Sequence, residues 1–128
     1  MKLLGLDIGM KRTGVAYFDD ETGIVLPVTT IDSSSDAETT EKILELATLR
    51  RVDTLVIGIP RLPSGEEGAQ AQHVRSIASV LESRFPVVYV DERYSSVPLR
   101  EKGGKTTQKS DSDTWAACQI LTVYTEQN

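Results

Sequence analysis

Acidic side chains stand at three places in the chain where an apolar strand pattern ends or a helical pattern begins. Asp7 closes the first apolar run, Asp91 and Glu92 close a later one, and Asp111 and Asp113 precede the last helical pattern. If the fold brings two or three of these carboxylates together, they repel one another unless a hard cation lies among them. The pattern therefore predicts a site for a divalent cation.

Such a site has a specific chemistry. Mg²⁺ typically binds one or two carboxylates, keeps several waters and takes phosphate oxygens of a substrate as further ligands. Two ions about 4 Å apart can activate water and stabilise the leaving oxygen of a phosphodiester. Each acid also has a purely structural interpretation, since Asp7 could cap a turn and Asp113 could cap its helix. Their joint placement favours phosphodiester hydrolysis.

The residues around Asp7 predict a β-hairpin. Residues 2–6 have the pattern of a buried strand, and residues 14–18 that of its antiparallel partner across a tight turn. Asp7 then occupies a sheet position with little access to water. Because a buried, unmatched carboxylate costs roughly several kcal/mol, we expect Asp7 to be matched by a metal, by Lys11 or Arg12, or by protonation.

Composition limits the class of protein. The 128 residues predict one domain covering 1–128, and 39% hydrophobic with 26% charged residues is ordinary for a globular protein. We see no apolar run of the roughly 20 residues that a membrane span needs and no signal-peptide pattern, so we expect a cytoplasmic protein. The lone Cys118 excludes an internal disulfide and predicts a packing role in the last helix. A net charge of −5 means that any binding of nucleic acid must use a local basic patch.

The apolar periodicity predicts the element order β-β-β-α-β-α-β-α, which describes a mixed α/β sheet with helices on its faces. After the hairpin, the predicted elements are a strand over 23–31, a helix capped by Ser35 or Asp36 and ending near Arg51, a strand over 52–59, a helix over 69–84, a strand over 86–90 and a helix over 113–124. The run VDTLVIGI predicts a central strand covered on both faces. We expect the carboxyl ends of the first and fifth strands to lie side by side, with the last helix beginning against them.

Three further features have simpler interpretations. His73 is separated in sequence from every acidic block, so we expect a solvated surface side chain. Gly65 and Gly68 do not have the spacing of a nucleotide-binding P-loop, and no lysine follows them. Residues 102–112 are glycine-rich and polar, which is typical of a mobile connection.

Four strings carry a resemblance to a known family. They are DIGMKRTGVA at 7–16, VIGIPRLPSGEEGAQAQHVR at 56–75, DERYSS at 91–96 and DTWAACQIL at 113–121. Together they resemble the YqgF family, also called RuvX. The resemblance implies an RNase H-like mixed five-stranded sheet, with three antiparallel strands followed by two parallel ones, flanked by helices. It also implies a nuclease that matures the 5′ end of precursor 16S ribosomal RNA or, alternatively, a Holliday junction resolvase.

The same resemblance implies roles for individual residues. Its catalytic and metal-binding acids match Asp7, Glu92 and Asp113, which implies a two-metal site for Mg²⁺ or Mn²⁺. Its basic positions, together with lysines of the segment before the last helix, give the nucleic-acid-binding set Lys11, Arg12, Arg93, Lys105 and Lys109. The segment 97–112 is shorter than is usual in the family and less rich in lysine, which bears on substrate affinity more than on metal binding.

Two other classes of protein share some of these features. The actin and sugar-kinase ATPases also open with an Asp-x-Gly hairpin, but their two lobes need far more than 128 residues. A non-catalytic module that binds RNA or protein on the same fold would suit the acidic composition, although clustered acids give a binder no advantage. Junction cleavage would favour a homodimer with two symmetric sites, whereas single-strand trimming works as a monomer.

Overall fold

The computed structural model describes residues 1–92 and 109–127, and in the second range it describes side chains from Asp113 onward. The strands are β1 (Lys2–Ile8), β2 (Arg12–Asp19), β3 (Ile24–Asp32), β4 (Thr54–Ile59) and β5 (Val87–Asp91), and the helices are α1 (Asp36–Leu49), α2 (Ala69–Leu81) and α3 (Lys109–Gln127). The predicted element order is confirmed.

The five strands form one mixed sheet in the order β3-β2-β1-β4-β5. The pairs β1–β2 and β2–β3 are antiparallel, and the pairs β1–β4 and β4–β5 are parallel. This is the predicted sheet of three antiparallel strands followed by two parallel ones. The expectation that β1 and β5 lie side by side is wrong, because β4 runs between them.

Helices cover both faces of the sheet. One face packs against α1 and α2 around buried residues such as Leu6, Ile57 and Ile77, and the other packs against α3 around residues such as Leu3, Val56 and Ile120. Successive residues of a strand point to opposite faces, so the strands buried on both sides are apolar at almost every position. This explains why the VDTLVIGI run forms the buried strand β4.

The start of α1 follows the predicted cap. The Ser35 side chain accepts a hydrogen bond from the Glu38 amide at 3.1 Å, which satisfies one of the amides left unpaired in the first helical turn. Asp36 and Glu38 also lie in that turn, where the helix dipole favours negative charge. Of the two predicted caps, Ser35 therefore performs the role.

Two local predictions need correction. The last helix begins at Lys109 and ends at Gln127, one turn earlier and three residues later than predicted, since apolar periodicity detects only the part of a helix that packs. His73 is not a solvated side chain: it is 17% exposed, and its Nε2 lies 2.9 Å from Asp36 Oδ1. The cause is the packing of α2 against α1, which covers a position outside the apolar stripe of α2.

The remaining expectations concern single elements. Cys118 lies in α3, half-buried against the cluster beneath that helix, and burial raises the pKa of its thiol to about 11. That thiol is protonated at neutral pH, which suits the predicted packing role. Within the residues that the structure describes, no helix has the length and apolar character required to cross a bilayer.

Candidate active site

Asp7 is the second-to-last residue of β1, a strand whose side chains alternate between the two faces of the sheet. Leu4, Leu6 and Ile8 face α1 and α2, so Asp7 faces α3 together with Leu3. The position lies at the carboxyl end of β1, where the loops and the first turn of α3 meet. In parallel α/β sheets, this is the edge where ligands bind.

A glycine lies on each side of Asp7. Gly14 is its register partner on β2, and the pairing of Leu6 with Ile57 places Gly58 beside it on β4. A Cβ on Gly14 would lie 1.9 Å from the carbonyl oxygen of Asp113, and one on Gly58 would lie 2.7 Å from both Cγ and Oε2 of Glu92. Because Gly14 and Gly58 have no side chains, the start of α3 and the Glu92 side chain can occupy the space on either side of Asp7.

Gly58 explains how acids from non-adjacent strands meet. Glu92 follows β5, which is two strands away from β1, and strands in a sheet are about 4.8 Å apart. The Glu92 side chain passes over Gly58 and forms a hydrogen bond with the Asp7 carboxyl. A larger residue at position 58 would stand between the two acids.

A hydrogen bond links the two carboxyl groups, and their surroundings favour the protonated form of Glu92. Burial raises the pKa of Glu92 to about 8, with further contributions from the charge of Asp7 and from the hydrogen bond between them. Burial also raises the pKa of Asp7, which the negative charge of Asp113 reinforces. A proton held between two close carboxyls relieves their repulsion. These raised pKa values favour protonation, which is one of the three ways to match Asp7 that the sequence allowed.

Asp113 lies close by and has a cationic partner. Its Oδ2 accepts a hydrogen bond from Arg12 Nε at 3.0 Å, with Arg12 53% exposed and Asp113 25% exposed. Arg12 therefore pairs with Asp113 rather than with Asp7. Lys11 is exposed in the turn before β2. The predicted basic turn thus borders the acids at the carboxyl edge of the sheet.

The predicted metal ligands are only partly brought together. Within residues 1–92 and 113–127, no three His, Cys, Asp or Glu side chains converge closely enough to hold an ion. The Asp7–Glu92 pair offers hard oxygen donors of the kind that Mg²⁺ and Mn²⁺ prefer, and it would have to lose its proton to bind one. That Asp113 completes the set stays a prediction.

The structure separates the roles of the neighbours Asp91 and Glu92. Glu92 meets Asp7, whereas Asp91 Oδ2 lies 3.3 Å from Arg61 Nε in the loop after β4. Of the predicted binding residues, Arg93 and Lys105 lie outside the described part of the chain. Lys109 begins α3, but its side chain also lies outside the description.

Sequence reasoning missed the positional roles of Gly14 and Gly58. A signal was present, because glycine inside a strand pattern often marks a close approach of another group. Arg61 was missed for a different reason: its partner Asp91 is 30 residues away in sequence, and no local pattern indicates that pairing.

Comparison with known proteins identifies relatives of this chain. The model of the family described as "RuvX: Holliday junction resolvase" matches residues 1–127. A Sulfurihydrogenibium protein named "Putative pre-16S rRNA nuclease" is 34% identical, with 98% of this chain and 90% of that protein covered. A protein of the same name from Methylobacillus flagellatus is 39% identical, with 95% and 88% covered.

Solved structures with a similar fold come from resolvases. RuvC of T. thermophilus, solved in complex with a Holliday junction substrate, superposes with a TM-score of 0.68 at 13% identity, covering 99% of this chain and 96% of that one. The fowlpox virus Holliday junction resolvase has a TM-score of 0.63 at 12% identity, with both chains fully covered. At these identities the likeness concerns the fold, which is the RNase H-like one predicted. The full-length family match and the relatives above 30% identity show that this chain belongs to the RuvX family of nucleases, hydrolases that act on phosphodiester bonds.

Proposed function

We propose that the chain is a divalent-metal-dependent nuclease that cleaves precursor 16S ribosomal RNA during maturation of its 5′ end, in the cytoplasm. The observation that carries the proposal is the partly buried Asp7–Glu92 carboxyl pair at the carboxyl edge of the sheet. A purely structural acid pair that must hold a proton to relieve its repulsion contributes little to a fold. The names of the curated relatives support the choice of RNA.

Each residue of the pair has a proposed task. Asp7, fixed within β1, and Glu92, held over Gly58, would present carboxylate oxygens to a divalent cation once the pair is deprotonated. The cation, Mg²⁺ or Mn²⁺, supplies activation of water and stabilisation of charge on the scissile phosphate. Asp113 is proposed as a further ligand at the entrance to α3.

The basic turn is proposed to bind the substrate backbone. Arg12 is more than half exposed while it donates to Asp113, so its guanidinium has donors left for a phosphate oxygen. Lys11 is its exposed neighbour. We extend the same task to Arg93, Lys105 and Lys109 on the basis of the sequence. These cations would form the local patch that an acidic protein needs to bind nucleic acid.

Cleavage of branched DNA is the second candidate. It is favoured by the description of the family model and by the likeness of the fold to resolvases. A resolvase that cuts two strands symmetrically requires a homodimer, whereas trimming of a single strand requires only a monomer. The two candidates therefore differ in the oligomeric state of the active species as well as in substrate.

The test compares three labelled substrates: a 5′-extended 16S precursor fragment, a single-stranded DNA and a four-way DNA junction. Each is incubated with Mg²⁺, with Mn²⁺ and with EDTA, using wild-type protein and the near-isosteric variant Asp7→Asn. We expect metal-dependent cleavage of the RNA that is at least about 10³-fold slower with Asp7→Asn. Lys42→Gln, which alters an exposed pair with Glu38 on α1, is the control and should cleave like wild type.

The outcomes separate the hypotheses. Preferential cutting of the junction by a dimer, measured by light scattering, would favour the second candidate. Tight binding of RNA without cleavage in either metal would identify a non-catalytic binding module. Full activity of Asp7→Asn would refute the assignment of the site.

A further inference from the structure

A network of charged side chains joins the loop after β4 to α2 and to the end of β5. Arg61 contacts Asp91 Oδ2 through Nε at 3.3 Å and Glu67 Oε2 through Nη1 at 3.5 Å, and its Nη1 donates to the Gly65 carbonyl oxygen at 3.2 Å. Arg75 donates two hydrogen bonds of 2.7 Å to the two carboxylate oxygens of Glu67. We call the four charged side chains Arg61, Glu67, Arg75 and Asp91 the Arg61 network.

The network holds a strand end that carries an active-site acid. Among the residues that the structure describes, β5 lies at one edge of the sheet with β4 as its strand neighbour, and its last paired residue is Asp91 opposite Ile59. Arg61 follows Ile59 by two residues, so its ion pair with Asp91 joins the ends of the two strands beyond their last pairing. Strand ends at a sheet edge open more readily than central strands. The ion pair therefore restrains the residue that directly precedes Glu92.

We propose that Arg61 is a positioning residue of the active site: by holding Asp91 at the end of β4, it keeps Glu92 directed over Gly58 toward Asp7. The inference rests on the proposed function only for its effect on cleavage. Its structural content, the anchoring of the end of β5, is independent of what the protein cuts.

The surroundings of Arg61 argue against a direct contact with substrate. Its guanidinium already contacts two carboxylates and a backbone carbonyl, and its side chain is 29% exposed. Asp91 and Glu67 are 17% and 23% exposed, which makes the pairs less screened than ordinary surface ion pairs. A cation held in this way orients its partners rather than searching for a phosphate.

The experiment uses a double-mutant cycle of Arg61→Gln, Asp91→Asn and the double variant, with Arg61→Lys as the conservative change. Lys42→Gln is the control, because it removes a cation from an exposed ion pair on α1 and leaves the Arg61–Asp91 pair in place. Three quantities are measured on each: kcat and KM for RNA cleavage, the Kd for Mn²⁺ alone by electron paramagnetic resonance, and amide hydrogen exchange at residues 90–92. Melting temperatures verify that every variant is folded.

We expect Arg61→Gln and Asp91→Asn each to lower kcat about tenfold with KM within about twofold, since a displacement of a fraction of an ångström at a catalytic group is costly. The Kd for Mn²⁺ should rise by a similar factor, and exchange at 90–92 should quicken at least about tenfold. The double variant should be no worse than either single one, because both remove the same interaction. Arg61→Lys should recover part of the loss, and Lys42→Gln should stay within about twofold of wild type.

Two results would overturn the inference. Unchanged exchange at 90–92 in Arg61→Gln would show that the ion pair does not anchor the strand end. A raised KM with unchanged kcat would make Arg61 a substrate contact instead. If wild-type protein cuts none of the nucleic acids, the proposed function fails, while hydrogen exchange still decides whether Arg61 anchors β5.

Discussion

Replacing Gly14 by alanine would test whether the glycine beside Asp7 sets the position of α3. The added Cβ would lie 1.9 Å from the carbonyl oxygen of Asp113 and 2.5 Å from its carbonyl carbon. Carbon and carbonyl oxygen atoms normally approach no closer than about 3.3 Å. Because the obstructing atoms belong to the backbone, a side-chain rotation cannot relieve the clash, and the first turn of α3 must move by at least about 1 Å.

The displacement has two consequences of known scale. Overpacking of this kind typically costs about 1–3 kcal/mol of unfolding free energy. A displacement of about 1 Å at a catalytic group can cost about 10²-fold in rate, and Asp113 would move relative to its partner Arg12 on β2. We therefore expect a modestly destabilised protein whose cleavage rate falls about 100-fold.

The assay pairs urea denaturation with RNA cleavage in Mn²⁺ at saturating substrate. Gly23→Ala is the control, because Gly23 has a φ of +72° and no atom within 4 Å of an added Cβ. That variant suffers only backbone strain of about 1–2 kcal/mol, so its stability loss is similar while its site is untouched. Its cleavage rate should equal that of wild type.

The reasoning would be refuted if Gly14→Ala cleaved RNA at the wild-type rate. It would also be refuted if Gly14→Ala and Gly23→Ala lost the same fraction of activity, since the loss would then follow stability rather than the position of α3. A crystal structure of Gly14→Ala should show the start of α3 displaced away from β2.

Three further predictions follow from single contacts. Burial raises the pKa of Asp7 and raises that of Glu92 from 4.5 to about 8, so between these pH values the folded chain without metal holds a proton that the unfolded chain releases. The unfolding free energy should therefore fall as the pH rises from 4.5 to about 8. Asp7→Asn should melt higher than wild type near pH 9 but not near pH 5. Arg12→Gln breaks an exposed pair with Asp113 and should lower the unfolding free energy, measured by urea denaturation, by less than about 1 kcal/mol. In titrations at several KCl concentrations, the same change should reduce the number of counterions released on RNA binding by about one. Ser35→Ala should cost about 1 kcal/mol of stability by urea denaturation and leave cleavage unchanged, because it removes only a helix cap.

The fold could be predicted well from the sequence because its signals are local. Two apolar runs across a tight turn marked the hairpin, the unbroken apolar run of β4 required cover on both faces, and Ser35 marked the start of α1. The bounds of α3 were predicted poorly, since its first and last turns carry no apolar stripe. His73 was misassigned because its burial depends on the neighbouring helix α1, which a pattern within α2 cannot show.

The sequence by itself determined where the candidate acids stand in the chain, and that Asp7 lies near the end of a strand. Only the tertiary structure decided how these acids meet, because β4 separates β1 from β5 and the bare backbone of Gly58 lets Glu92 reach Asp7. The raised pKa values of Asp7 and Glu92 follow from that contact, since the pKa of a carboxyl depends on its burial and on the charges around it. Residue types and spacings specify the groups, but distances between groups far apart in sequence arise from packing.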